Sequence, residues 1–254
     1  MTYLEYFKNG EEFYTEGNYY EALSYFQESL NLKETTDCLN YIGCCYLKIG
    51  NFDYAISTFK KIITICSDWE RPIFNLGRAY LQLHNYEEAL KCFERAKLIN
   101  PENEDVYFYL GLYYYEIVDY EKSKECYEKS ISINDLQPET HLNLGRCYYN
   151  LGIFEKALDE FDIAYKYDNT CYDAIYNKGI TQIAIGKYQE ALDNFLELKN
   201  INPDDIEIMM DIAHCYYKTR NFENAYVWVN KLLAIEPEHD LANKLLNRLS
   251  SLMM

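Results

Sequence analysis

Side chains that could do acid–base or metal chemistry are few and scattered in this sequence. The four histidines are His84, His141, His214 and His239, and no two of them show the H-E-x-x-H spacing of a helical zinc site. The nine cysteines include no C-x-x-C pair and no cysteine–histidine group with zinc-ligand spacing. We therefore expect no metal, no cofactor and no enzymatic activity in this chain.

The ten glycines do not form a phosphate-binding loop. No stretch matches G-x-x-x-x-G-K-[ST] or G-x-G-x-x-G, the patterns in which backbone amides cradle phosphates. One series of glycines has members 33 or 34 residues apart, at Gly10, Gly43, Gly77, Gly111, Gly145 and Gly179. A second series lies seven residues after four of these, at Gly17, Gly50, Gly152 and Gly186. This regularity indicates an internal repeat.

Two further series keep the same period. Twelve residues after each glycine of the first series comes a small residue, at Ala22, Ala55, Ala89, Ser123, Ala157 and Ala191. Four residues later comes an aromatic residue, at Phe26, Phe59, Phe93, Tyr127, Phe161 and Phe195. A seventh copy has Ala213, Ala225 and Val229 at the three places. The repeat therefore extends along most of the chain.

The spacing of apolar residues inside each repeat predicts two short helices. Residues 73–80 carry an apolar stripe at i, i+3, i+4 and i+7, residues 89–96 carry a second, and a turn is expected near His84. We expect the glycine and the alanine to be small so that the two helices approach closely. The aromatic side chain is expected to fill the layer between neighbouring repeats. A glycine of the second series would allow positive φ at the turn.

This period and these residues closely resemble the tetratricopeptide repeat family, whose signature is small-Gly-x-x-Tyr, then Ala-x-x-x-Phe, then Pro. The resemblance covers essentially the whole chain and implies an all-α fold, a right-handed α-solenoid of helix-turn-helix repeats with about 15 helices. It implies one domain over residues 1–254. Its seven repeats are predicted near 3–35, 36–69, 70–103, 104–137, 138–171, 172–205 and 206–239, with a capping helix at 240–254.

In that family the first helix of each repeat lines a concave groove, and fixed places of the repeat face the ligand. The resemblance therefore implies a peptide-binding site made of twelve residues. These are Phe74, Asn75, Arg78, Phe108, Tyr109, Leu112, Tyr115, Asn143, Arg146, Tyr149, Tyr176 and Asn177. The pattern does not fit the clamp of lysine, asparagine and arginine with which some members hold a chaperone's C-terminal carboxylate.

The residue types of this site suit peptide recognition. An asparagine amide offers a donor and an acceptor to the backbone of an extended peptide. Asn75, Asn143 and Asn177 are therefore expected to bind the peptide backbone whatever its sequence. Arg78 and Arg146 are expected to select a carboxylate, and the rings to select apolar or aromatic side chains. Tyrosine supplies 28 of the 254 residues, so packing between repeats is the alternative role for any single ring.

Acidic residues at the second place of five repeats have another explanation. They lie in the first turn of a helix, as Asp173 does, where negative charge complements the helix dipole. We therefore set them aside from the site.

The charge balance limits the class of partner. The formal net charge is −17, whereas a nucleic-acid binder needs a basic surface and an anionic membrane repels an acidic one. No apolar run approaches the roughly 18 residues of a membrane helix, and the first residues lack the basic start and apolar stretch of a signal peptide. We expect a cytoplasmic protein that binds a protein or peptide, and neither nucleic acid nor membrane.

The favoured function is a protein–protein interaction scaffold that captures a peptide segment of a partner in the groove. Two alternatives stay open. The chain could be a self-assembling structural protein, a homodimer through the C-terminal helix, because its last residues LSSLMM leave apolar side chains near one edge. It could also be a regulator whose superhelix changes pitch when a peptide binds.

Overall fold

The computed structural model describes residues 1–253, without the side chain of Met253, and over these residues the chain is helical with no strand. Fifteen helices follow one another: α1 (Tyr3–Thr15), α2 (Tyr19–Leu32), α3 (Thr36–Ile49), α4 (Phe52–Ile65), α5 (Glu70–Gln82), α6 (Tyr86–Ile99), α7 (Glu104–Glu116), α8 (Tyr120–Ile133), α9 (Pro138–Asn150), α10 (Phe154–Tyr167), α11 (Tyr172–Ala184), α12 (Tyr188–Ile201), α13 (Ile206–Lys218), α14 (Phe222–Ile235) and α15 (Asp240–Met253). The predicted all-α fold of helix-turn-helix repeats is confirmed.

The chain divides into two compact units, which we describe separately. Unit 1 is residues 1–133 with α1 to α8, and unit 2 begins at Asn134 with α9 to α15. In each unit the first helix of a repeat (α1 to α13, odd numbers) packs against the second helix of the same repeat. Within a unit, each later first helix also packs against the helix before it, as α3, α5, α7, α11 and α13 do. The first helices begin at the residues where the repeats were predicted to begin. One domain over residues 1–254 stays a prediction.

In six of the seven repeats the glycine of the first helix faces an aromatic ring of its own repeat. A Cβ atom added at Gly77 would lie 2.7 Å from Cε1 of Phe93, and the same close approach recurs at the other five glycines of the series. Phe93 is fully buried, and its ring centroid lies 6.1 Å from those of Phe74 and of Tyr109 in the next repeat. The expected packing between repeats is therefore only part of the ring's role, because the ring also fills the space above its own glycine.

The turn inside each repeat ends the first helix with one left-handed residue. Its φ is positive in all seven repeats: at Gly17, Gly50, Gly152 and Gly186, but also at His84 (53°), Val118 (65°) and Arg220 (61°). The following amide donates to the carbonyl five residues back, as Asn85 N does to Tyr80 O at 2.9 Å. This is the hydrogen bond of a Schellman helix ending. The positive φ expected at the turn glycines is confirmed, and three other residue types adopt it as well.

Val118→Gly is expected to raise the free energy of unfolding of unit 1 by about 1 kcal/mol. A non-glycine residue in the left-handed region costs roughly 1–2 kcal/mol, and the extra unfolded-state entropy of glycine offsets part of that gain. Little packing is lost, because Val118 is 65% exposed. Denaturant unfolding measures the change, and Gly152→Val, at the same place in unit 2, should cost a similar amount. A Val118→Gly protein no more stable than wild type would contradict the strain.

His141 in α9 makes hydrogen bonds to α10 and to the segment before α9. Its Nδ1 lies 2.6 Å from Oε2 of Glu160 in α10, and its Nε2 lies 3.1 Å from the carbonyl oxygen of Asp135, in the segment before α9. Both partners accept, so both ring nitrogens can donate only when the ring is protonated. Burial lowers the pKa of His141, but the two hydrogen bonds outweigh burial and raise it above its ordinary value.

The stabilisation from His141 is expected to depend on pH. Because the pKa is raised in the folded state, the stabilisation is full below the unfolded pKa of about 6.5 and is lost as pH rises through the folded pKa. His141→Asn should therefore lower the free energy of unfolding of unit 2 by about 2 kcal/mol at pH 6, and by less at pH 8.5.

Trp228 fluorescence in a Trp69→Phe background measures this effect, because Trp228 is the tryptophan of unit 2. Gln189→Ala, at an exposed position of α12 in the same unit, is the control and should give no pH-dependent penalty. An equal penalty of His141→Asn at both pH values would mean that the ring stays neutral.

The last helix covers the end of unit 2 with one face. The buried face joins a cluster with α13 and α14 through Ala242, Leu245 and Leu249. The opposite face is exposed and carries Lys244, Asn247 and Arg248. Leu252 is 52% exposed, while Met254 and the Met253 side chain lie outside the described residues. The homodimer through this edge therefore stays a prediction.

Candidate functional site

Arg78 in α5 is held between two rings on the first helices of unit 1. Its guanidinium carbon lies 4.8 Å from the ring centroid of Tyr109 in α7 and 5.7 Å from that of Phe74. Its Nη1 donates to Oδ1 of Asn75 at 3.1 Å, because residues three apart share a helix face. A cation over aromatic faces is attracted by their quadrupoles, so the arrangement fixes the direction of a charged group.

The Asn75 side chain contacts both Cys44 and Arg78. It is 4% exposed, and its Nδ2 lies 3.4 Å from Sγ of Cys44 in α3 while its Oδ1 accepts from Arg78. Burial raises the pKa of the Cys44 thiol to about 11, against the opposing effect of the Arg78 charge, so the sulfur is neutral at pH 7. Both ends of the Asn75 amide therefore make a contact within the protein.

The charge of Arg78 has no ion-pair partner among the residues that the structure describes. Asp105 lies near enough for Arg78 to lower its pKa, although burial outweighs this and the pKa is raised. The Nε of Arg78 is buried without a described hydrogen-bond acceptor. A half-buried, stacked guanidinium with spare donors is suited to a carboxylate brought by a ligand.

Arg146 in unit 2 also contacts the asparagine three residues earlier, but unlike Arg78 it has an ion-pair partner. Its Nη1 donates to Oδ1 of Asn143 at 3.4 Å, while its Nη2 donates to Oδ2 of Asp173 in α11 at 3.0 Å. Asn177 donates from Nδ2 to the Asp173 backbone carbonyl at 2.7 Å. The helix dipole is therefore only part of the explanation for Asp173, because its carboxylate also pairs with Arg146.

The other residues predicted for the peptide-binding site fall into two groups, those buried in the core and those packed on a neighbouring aromatic ring. Phe74 and Phe108 are buried, with 6% and 8% exposure, and Leu112 is partly buried in the core of unit 1. Tyr115 packs on Tyr120 and Tyr149 on Phe154, at the far ends of their helices. Their contact with a ligand stays a prediction.

Sequence reasoning left Cys44, Asp173 and Asp211 out of the twelve-residue site. Each has a partner one repeat away: Asn75 for Cys44, Arg146 for Asp173, and Tyr176 for Asp211.

Residues 1–253 contain neither a membrane-spanning helix nor a cluster of metal ligands. No helix there is long and apolar enough to cross a membrane. No group of three or more histidine, cysteine, aspartate or glutamate side chains is placed to hold a metal ion in that part of the chain.

Family models match the chain along most of its length. Four models described as Tetratricopeptide repeat match residues 37–67, 73–103, 104–135 and 138–171. A further model, described as Regulator of microtubule dynamics protein 1-3, matches residues 174–254. No curated protein matches the chain.

Similar solved structures are repeat proteins. The C-terminal part of a TPR repeat-containing protein from Cytophaga hutchinsonii is 20% identical with a TM-score of 0.71, covering 94% of this chain and 99% of that one. PilF of Pseudomonas aeruginosa is 20% identical with a TM-score of 0.71, covering 81% and 94%. YrrB, described as a TPR protein with an unusual peptide-binding site, is 22% identical with a TM-score of 0.67, covering 73% and 96%. At these identities the likeness concerns the fold. Together with the four repeat matches, it shows that the chain belongs to the tetratricopeptide repeat family.

Proposed function

We propose that the first helices of unit 1 bind a peptide segment of a partner protein, and that Arg78 binds a carboxylate of that segment. The observation that carries this proposal is the stacking of Arg78 on Tyr109 at 4.8 Å with no ion-pair partner among the described residues. The carboxylate is an acidic side chain or the C-terminus of the partner.

The comparison of the two arginines favours Arg78 over Arg146. Both are braced by the asparagine three residues earlier, but Asp173 lies 3.0 Å from Arg146 and offsets its charge. A half-buried cation without an ion-pair partner is costly because it is partly removed from water, and a ligand carboxylate would offset that cost.

The family supports the wider part of the proposal. A fold of tetratricopeptide repeats is that of a protein–protein interaction scaffold and is typically non-catalytic. The similar protein YrrB is described as having a peptide-binding site. In unit 2, Asn143 Nδ2 and Asn177 Oδ1 have no described partner, and we assign them the backbone contacts of the same peptide class.

A peptide-library selection tests the proposal, with wild type, Arg78→Gln and Arg146→Gln as the three baits. Wild type and Arg146→Gln should enrich the same motif, containing an acidic residue or a free C-terminus, because Arg146 is already neutralised. Arg78→Gln should lose that motif. If all three baits enrich one motif, or if none enriches any, Arg78 is not the centre of a peptide site.

A further inference from the structure

A cavity of about 340 Å³ opens in unit 2 between α11 and α13, next to the end of α12. Its apolar part is made by Leu198, Ile201 and Ile208, and the rings of Tyr172 and Tyr176 lie at its side. Carboxylates of Asp205 and Glu207 also line it. Apolar surface, two rings and negative charge are together what a large cationic side chain requires.

The carboxylates of Asp205 and Glu207 at this cavity have no ion-pair partner among the described residues. Glu207 makes no side-chain hydrogen bond or ion pair there, and Asp173 is taken up by Arg146. Asp205 uses Oδ1 to cap α13, accepting from the amides of Glu207 and Ile208 at 3.0 and 3.1 Å.

Asp211 lies one helical turn beyond Glu207, and its charge interacts with those of Glu207 and Asp205. Its pKa is raised to about 6, first by burial and then by Glu207 and Asp205, while the Tyr176 hydroxyl opposes this. No lysine or arginine contributes to that shift. Asp211 in turn adds to the effect of burial in raising the pKa of the Cys215 thiol on the same helix.

The equivalent place in unit 1 has a different charge pattern. One hundred and two residues earlier, Arg71 stands where unit 2 has Asp173, Asn103 where it has Asp205, and Tyr109 where it has Asp211. There Asn103 Nδ2 donates to Glu70 at 2.8 Å, and the charge of Arg71 lowers the pKa of Glu70 and Asp105 against burial. Asp105 stands where unit 2 has Glu207, so unit 1 carries a cation beside its acid, whereas unit 2 has only acids at these places.

We propose that the unit 2 cavity binds an arginine side chain of the partner segment, stacked on the tyrosine rings and paired with Glu207, while the nearby charge of Asp211 adds to the attraction. Arginine is preferred over lysine because its planar guanidinium stacks on rings, forks onto carboxylates and is less strongly hydrated. This inference rests on the proposed function only in taking the ligand to be part of a peptide. The ligand of the Arg78 site is acidic and that of this cavity is basic, so the two sites can be tested separately.

The test is an NMR titration of the whole chain with the peptide acetyl-Gly-Gly-Arg-Gly-Gly-amide and with its uncharged citrulline analogue. The arginine peptide should shift the amide signals of Tyr172, Tyr176 and Ile208 and bind at least tenfold more tightly than the analogue. Binding should weaken severalfold below pH 6, because a bound cation favours the ionised form of Asp211.

Matched variants locate the site. Glu207→Gln and Asp211→Asn should each weaken arginine-peptide binding at least threefold, and neither should unfold unit 2, because each removes like-charge repulsion. Glu155→Gln removes the same charge from an exposed position of α10 and should leave binding unchanged. Arg78→Gln should also leave it unchanged, whatever the peptide selection shows for unit 1.

Three results would overturn the proposal. Equal affinity for the arginine and citrulline peptides would remove the role of charge. An effect of Glu155→Gln as large as that of Glu207→Gln would mean attraction by net charge alone. Equal affinity for a lysine peptide would overturn the choice of arginine.

Discussion

Gly77→Val is expected to lower the free energy of unfolding of unit 1 by about 3 kcal/mol or more, the top of the range for overpacking a well-filled core. The new Cβ would lie 2.7 Å from Cε1 of Phe93, and two further methyl groups would follow it. The ring cannot move aside, because Phe93 is fully buried and meets Phe74 and Tyr109.

The alanine variant separates the two effects that a side chain has at this place. Alanine is favoured over glycine in a helix by about 1 kcal/mol, whereas the contact with the ring costs about 1–3 kcal/mol. Gly77→Ala should therefore be destabilising in the wild type. In a Phe93→Leu background the ring edge is absent, and the same change should be neutral or stabilising.

Trp69 fluorescence in a Trp228→Phe background follows unit 1 in these experiments, because Trp69 packs against the core that contains Phe93. Gly50→Ala is the matched control, since no atom lies within 4 Å of its added Cβ and only its φ of 83° opposes the change. Additive effects of Gly77→Ala and Phe93→Leu would show that glycine and ring do not compete for one space.

Arg78→Gln is expected to weaken binding of the selected peptide about 10- to 100-fold. Hydrogen bonds to charged groups contribute about 1.5–3 kcal/mol, and each 1.4 kcal/mol is a factor of ten in affinity. The half-buried position of Arg78 over Tyr109 excludes part of the solvent that weakens exposed ion pairs. Isothermal titration calorimetry measures the change.

Two further variants identify the physical origin of this loss. Arg78→Lys keeps the charge but lacks the planar fork and the ring stacking, so it should recover only part of the affinity. Arg146→Gln should change the affinity less than threefold, because Asp173 already pairs with that residue. Full recovery by lysine would mean that charge alone acts, and a loss in Arg146→Gln equal to that in Arg78→Gln would contradict the distinction between the two.

The turns show how far the repeat pattern predicts the fold. Helix starts and the glycine turns could be predicted, because both depend on residue types that recur with the period. The left-handed backbone of Val118 could not, since nothing in a valine favours positive φ. Its conformation is imposed by the flanking helices and by the Schellman hydrogen bond from Asp119 N to Tyr114 O.

The candidate site could be predicted as a set of residues but not as a set of partners. The shared Asn-Leu-Gly-Arg stretches of α5 and α9 gave no reason to separate Arg78 from Arg146. The difference comes from the next repeat, where Tyr109 meets one arginine and Asp173 meets the other. Which residue of a neighbouring helix comes within 3 Å depends on helix packing, and the sequence period carries no such information.

The stacking of helices in chain order has a consequence for how this protein folds. Within each unit, extensive contacts join helices that are adjacent or next but one in the sequence, and the Gly77–Phe93 pair spans only sixteen residues. Such contacts close short loops, so little chain entropy is lost before they form, and low contact order is associated with rapid folding. Folding can begin in whichever repeat is locally most stable and spread to its neighbours. A repeat weakened by substitution would then open locally and exchange its amide protons early, while repeats further along the same unit stay protected.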